Sequence, residues 1–350
     1  MDALISLPLI SYLLIPGTTS WSTSLNLLFF TMTWTTLTLS HPPLKIELVV
    51  VLAIRVAFWL IPSLATLLFD LSLPSIAGQL KHGGSRALPP RDSKVLGRAL
   101  GLSLLNLVLS LVAEGTISYG LSSIPLLLST LGIKAKLVGG PVFATSAAPP
   151  LPWNIAKHLV LLLAGREITT YYIHRYLLHN PKSSYSLVRK LSNWHLSSLP
   201  HSRSAPTFSL LLFADSPVPG LLLRFVPLYL PALVLRPHLL TYLAFVALAT
   251  GEEAASHSGY SVVPGILLGG VARRCAVHHG SKGKGNFGAW GFLDWAYGTS
   301  AGGQDVVDDM ADEAEKHNLP ERGQKFADGA ADKLQDGVDG WGGRLRGGGG

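Results

Sequence analysis

Between residues 21 and 249 the sequence is built from apolar runs of bilayer length, separated by short stretches that collect Pro, Gly, Lys and Arg. About 20 apolar residues let a helix cross the ~30 Å hydrocarbon core, where each backbone amide needs a partner inside the protein. The chain is therefore expected to be all-α, a polytopic transmembrane helical bundle. Residues 21–39 and 46–69 form the first two candidate spans, turned at His41-Pro42-Pro43, which no helix crosses comfortably. A third starts near Leu100 and passes Glu114, a helix-end or partner-facing carboxylate. A fourth covers residues 153–173, and residues 208–249 read as a helical hairpin bent near Arg236. The apolar residues 3–16 contain Pro8 and lack a basic leader and a clear cleavage site, so this segment is expected to be retained.

The distribution of charge orients the bundle. The net charge is +7, but residues 304–350 hold 6 basic against 11 acidic side chains, leaving 22 basic against 10 acidic in residues 1–303. Basic residues gather in the loops at 79–98, 180–205 and 271–303, beside apolar runs, which by the positive-inside bias puts these loops and the acidic tail on the cytosolic face. This placement, with a mean hydropathy of +0.36 and only 14% charged residues, argues against nucleic acid as partner despite a pI near 9.5. Membrane lipids are the expected surroundings, and Arg175 and its basic neighbours follow their headgroups. The single cysteine, Cys275, excludes an internal disulfide and fits a reducing compartment. Three regions result: an N-terminal transmembrane region (1–150), a histidine-rich domain (151–303) and an acidic, Gly-rich cytosolic tail (304–350).

Histidines cluster at the cytosolic ends of the apolar runs. His174 and His179 close the fourth span, His195 and His201 lie in the next polar loop, His257 ends the hairpin, and His278-His279 follow soon after. Ionisable residues at membrane helix ends are costly and functional by default. Imidazole is a good ligand for iron, copper, nickel and zinc, so a shared metal centre is expected. His174 and His179 lie about 140° apart on an ideal helix. They can meet only if the helix end bends or unwinds near Asn180-Pro181, or if the rings serve different sides of one pocket. His41, His82, His158, His238 and His317 fall outside any such pattern and read as surface or interface residues.

Residues 155–300 resemble the fatty acid hydroxylase / sterol desaturase superfamily of integral membrane di-iron proteins. The likeness rests on His174 and His179 after Tyr171-Tyr172, on a second box ahead of Ala205-Pro206, and on His257-Ser258-Gly259-Tyr260. It ends with Cys275-Ala276-Val277-His278-His279, Gly285-Asn286-Phe287-Gly288 and Asp294-Trp295-Ala296-Tyr297-Gly298-Thr299. The resemblance implies a histidine-rich cytosolic cap in the endoplasmic reticulum. Two irons, O₂ and an external electron donor of the cytochrome b5 type would hydroxylate or desaturate a fatty acyl, sterol or sphingolipid-type substrate. Its implied ligand positions are His174, His179, His195, His201, His257, Cys275, His278 and His279.

Departures from the pattern matter as much. The second box offers Ser197 and Pro200 where imidazoles are expected, Asp215-Ser216-Pro217 stands where relatives resemble Asp-His-Pro, and Cys275 replaces a histidine. A catalytically impaired relative that binds lipid or serves as a scaffold is therefore a second reading, and a four- or five-ligand site for one metal, such as zinc, lies between the two. Cys275 reads either as a thiolate ligand or as a small buried apolar residue. Glu167 and Glu253 share helix faces with His174 and His257, as acceptors that orient the rings or as ordinary interfacial carboxylates.

Overall fold

The first described helix, α1 (Trp21–Ser40), stops just before Pro42-Pro43, and α2 (Pro43–Ser72) starts with proline in its first turn, where a missing amide donor costs nothing. A computed structural model describes residues 21–130, 142–202, 207–263 and 268–316. Expectations about residues 3–16, Ala205-Pro206, His317 and the tail beyond residue 316 lie outside them. Helix dominates, and no strand occurs among the described residues beyond two isolated bridges. After a short α3 (Pro74–Gln79), α4 (Ser93–Thr130) runs on past Gly120. It is followed by α5 (Pro152–Tyr172), α6 (Ser186–Leu196), the one-turn α7 (Leu199–Ser202), α8 (Pro217–Leu235) and α9 (Leu239–Ser256). Last come α10 (Leu268–Gly280), the short α11 (Phe292–Ala296) and α12 (Val306–Lys316).

Among the described residues, three helices are long and apolar enough to cross a membrane: Pro43–Ser72, Ser93–Ser123 and Pro217–Leu235. In the first two, only 22% of the most apolar window is buried in the protein. Phe58, Leu68, Val108 and Val112 point outward instead, which suits a lipid solvent and not water. The chain is thus an integral membrane helical bundle. The expected spans at 21–39 and 153–173 do form helices, but neither is among the three, and α5 carries Lys157, Arg166 and Glu167. The hairpin of α8 and α9 bends where expected, at Arg236, whose φ of 45° reverses the chain.

Packing fixes the hairpin against α5. Pro231 of α8 lies so close to Gly165 that any β-carbon there would meet the proline ring at 2.8 Å. Leu162, Leu228, Tyr229, Phe245 and Val246 fill the core between these helices, with Ile46 and Val51 of α2. Before α8, the turn Ser209–Phe213 is fully buried yet not α-helical. Its carbonyls stay satisfied because Ser103 donates to Leu210, Trp59 to Ser209, and Asn106 to Phe213 and Asp215. Buried charges inside the bundle also have partners: Ser118 donates to Glu47 at 2.7 Å, Tyr242 to Glu114 at 2.8 Å, and Arg55 to Thr250 at 2.9 Å.

The loops that carry the histidines share one end of the bundle with the first basic loop. Lys81 pairs with Asp70 at 2.5 Å and bridges to Tyr260, whose hydroxyl also reaches Asp70 at 2.6 Å. The His82 amide donates to the Gly259 carbonyl at 2.8 Å. At the other end, residues 144–147 contact His238 and Trp34.

Candidate metal centre

The helix α5 does not bend at Asn180-Pro181. It widens earlier, into the π turn Ile173–Leu178, where the amide of His179 donates to the carbonyl of His174 at 2.9 Å. An i→i+5 bond sets residue i+5 above residue i, as an i→i+4 bond sets residue i+4 above it in an α-helix. The two rings, which an ideal helix would hold 140° apart, therefore meet with centroids 4.7 Å apart.

Three more imidazoles join them. His278, from the last turn of α10, lies 4.7 Å from His174 and 4.9 Å from His179, centroid to centroid. His201, on α7, lies 5.2 Å from His179, and its Nε2 is 3.2 Å from Nε2 of His278. Two ligands about 2.05 Å from one ion stand roughly 2.9 to 3.4 Å apart at octahedral to tetrahedral angles, so this spacing suits a shared ion. One ligand atom each from His174, His179, His201 and His278 falls within 4.8 Å of the others. His195, at the end of α6, packs 4.2 Å from His201 and 5.0 Å from His179.

Orientation is supplied by the second ring nitrogen. His174 Nδ1 bonds to the Phe287 carbonyl at 2.9 Å, His278 Nδ1 to the Gly285 carbonyl at 2.6 Å, and His195 Nδ1 to Asp215 Oδ2 at 2.5 Å. Such bonds fix the tautomer with a lone pair on Nε2. On His174, His179 and His195 that Nε2 is buried with no partner, and so is Nδ1 of His201. Burial, then the neighbouring imidazoles, hold His174, His179 and His201 well below the ordinary imidazole range, and burial brings His278 to about 4. Neutral, unpartnered ring nitrogens aimed at one another are what a transition-metal ion requires.

His257, Cys275 and His279 form a second group, also within 4.8 Å. It borders the first, since His279 is 4.9 Å from His201 and 5.8 Å from His257. Both nitrogens of His257 are committed. Nδ1 donates to the Glu253 carbonyl at 2.9 Å, and Nε2 accepts from Arg224 at 2.8 Å. Burial pushes the Cys275 thiol up to about 12, which keeps it protonated near neutral pH. The first group fits a metal ion; in this group His279 Nδ1 is also without a partner, but a guanidinium occupies the one lone pair that His257 could offer a second ion.

The fatty acid hydroxylase family model matches residues 159–299. That stretch belongs to the fatty acid hydroxylase family. No solved structure matches the chain. The family is one of lipid hydroxylation and desaturation, and its matched region contains every histidine of both groups.

In the fatty acid hydroxylase domain, the loop from Gly285 to Thr299 holds two of these imidazoles in place. Asp294, fully buried, accepts from the amides of Phe287 and Gly288 and from the Thr299 hydroxyl. Asn286, at φ 57°, ties the loop to the carbonyls of Arg274 and Ala301. Gly283, at φ 77°, is pressed against the His179 ring, where any side chain would collide. Glu167 does not orient His174 as the shared helix face suggested. Its carboxylate accepts from the amides of Trp290 and Leu293, so it acts on the same loop whose carbonyl orients the ring. Glu253 does reach His257, but through its backbone carbonyl, while its carboxylate pairs with Arg166 at 3.2 Å.

All eight residues singled out by the sequence thus line one end of the bundle. Ser197 is exposed, whereas Pro200 lines the cavity without offering a ligand atom. The sequence reading passed over Arg224. The signal was present, because a lone arginine within Leu221–Phe225 interrupts an apolar run where charge is expensive.

Proposed function

We propose that this protein is a metal-dependent oxidoreductase that hydroxylates or desaturates a C–H bond of a lipid at the cytosolic face of the endoplasmic reticulum membrane. The observation that carries the reading is the convergence of His174, His179, His201 and His278, with His195 packed beside them, four of these five rings having a buried nitrogen without a partner in the protein. His174, His179, His195, His201 and His278 would hold the metal, with iron as the ion that suits oxygen chemistry in a nitrogen-rich site. The chemistry supplied by the bound metal is the reduction of O₂ to an oxidant that can break an unactivated C–H bond. In a hydroxylation one oxygen atom enters the lipid, and the other leaves as water with two electrons and two protons. The electrons come from a cytosolic-face donor of the cytochrome b5 type.

The protein residues bind, orient and exclude water. Phe287, Gly285 and Asp215 fix three rings through their second nitrogens. Leu211, Leu212, Leu223 and Val271 line a cavity of about 80 Å³ against the histidines, which keeps bulk water out while a methylene segment approaches. The apolar outer faces of α2 and α4 keep the site at the membrane, where a fatty acyl, sterol or sphingolipid-type substrate resides.

Ser197, Pro200 and Cys275, standing where the family pattern calls for imidazoles, favour the second reading, a lipid-binding or scaffold relative without turnover. Protein reconstituted with ferrous iron, a reductase, a donor of the cytochrome b5 type and lipid extract separates the two. Oxygen-dependent gain of 16 mass units or loss of 2 in a lipid supports the enzyme. Folded protein that binds no metal and changes no lipid overturns it.

A further inference from the structure

Arg224 sits in the π turn Leu221–Phe225, at the site end of α8. A charge there needs a partner, and the guanidinium finds two: His257 Nε2 at 2.8 Å and Glu253 Oε1 at 3.7 Å. The first contact is decisive. His257 Nδ1 is already the donor to the Glu253 carbonyl, so the ring's one lone pair lies on Nε2 and points at Arg224. That pair is the only one with which His257 could bind an ion. The ligand atoms of His257, Cys275 and His279 gather within 4.8 Å, so the guanidinium places a fixed positive charge where a second metal ion would be held. Arg224 is itself anchored, because its other partner Glu253 is locked by Arg166 at 3.2 Å.

The two halves of the cavity are therefore unequal. One has several unpartnered nitrogens, on His174, His179, His195 and His201; the other has one, on His279, and its His257 lone pair is occupied by a cation that belongs to the chain. We infer that the Arg224 guanidinium stands in place of a second metal ion, so that the protein holds one metal ion per chain, within the cage of His174, His179, His195, His201 and His278. This rests on the metal-dependent function proposed above. His257 becomes a hydrogen-bond acceptor that positions Arg224, and Cys275 becomes packing.

Metal counting tests the inference. The full chain, purified in detergent, is loaded anaerobically with ferrous iron alone, desalted and analysed for iron per polypeptide, with Mössbauer spectra to detect coupled pairs. One iron per chain with no coupled pair is expected, and His257→Ala should leave that count unchanged. Arg224→Ala combined with Cys275→His removes the guanidinium and returns an imidazole, and should raise the count toward two. Two irons per wild-type chain overturn the inference and leave the proposed function standing. None, in protein that is monodisperse and helical, overturns both. A lower count in His257→Ala, or a folded double variant that stays at one, overturns the role given to Arg224. If the double variant does not fold, His257→Ala decides.

Discussion

Both halves of the histidine cavity present buried imidazoles, yet they differ in what each ring's second nitrogen touches. In the five-imidazole half, His174 and His278 point one nitrogen at loop carbonyls, His195 points one at Asp215, and the rings of His195 and His278 pack against His174. In the other half, His257 has a carbonyl on one side and Arg224 on the other. A histidine's position therefore does not make it a ligand. Its neighbours decide which lone pair is left over.

The largest expected effect that would break this comparison is on His278, whose ring lies against His174, His179, His201 and His279. His278→Ala should lower bound iron to less than about a tenth of wild type, since a cage that loses its central ligand also loses the geometry of the rest; retention of full iron in a folded variant would remove His278 from the cage. Next is acid. In metal-free protein the buried histidines sit below their unfolded value, with His278 at about 4. The unfolded chain then binds more protons than the folded one, so their contribution is complete above about pH 6.5 and is lost as the pH falls from there toward the folded values. The slope is about 1.4 kcal/mol per pH unit for each histidine that titrates, which denaturant melts between pH 7.5 and 5 would register; a flat profile would mean that these rings are not buried.

A smaller change is expected at Asp215. Asp215→Asn keeps the shape but weakens the hold on His195, so iron affinity measured by chelator competition should fall about 10- to 100-fold, with no change in helical content. Unchanged affinity would take His195 out of the cage. The smallest effect is at Cys275, where replacement by Ala should leave iron content as it is and cost on the order of 1 kcal/mol for a small cavity. Loss of iron in Cys275→Ala would restore the thiolate to the ligand set and make the two halves alike.

Much of this arrangement is legible in the chain. The apolar run lengths give the helices, the prolines at 42, 43 and 217 give their starts, and the spacing of His, Gly, Asn and Asp motifs gives the participants. Less legible is how the participants address each other. Glu167 shares a helix face with His174 but bonds to amides 123 and 126 residues away, a contact that no local periodicity encodes. The grip of Asp215 on His195 is a tertiary contact of the same kind, made possible by the buried turn Ser209–Phe213 that carries the chain back to α6. Arg224 was readable as an anomaly, but its target was not.

The π turn Ile173–Leu178 also bears on how such a chain tolerates insertion and deletion. Four residues separate His174 from His179 here. With three, the pair sits at i and i+4 and an ordinary α-helix stacks the rings; with four, one extra residue is taken up as a bulge and the same stacking returns. A single-residue length change at this point is thus absorbed by the backbone without moving the ligands. The spacing that looks like the most rigid part of the motif is the part where the helix has slack.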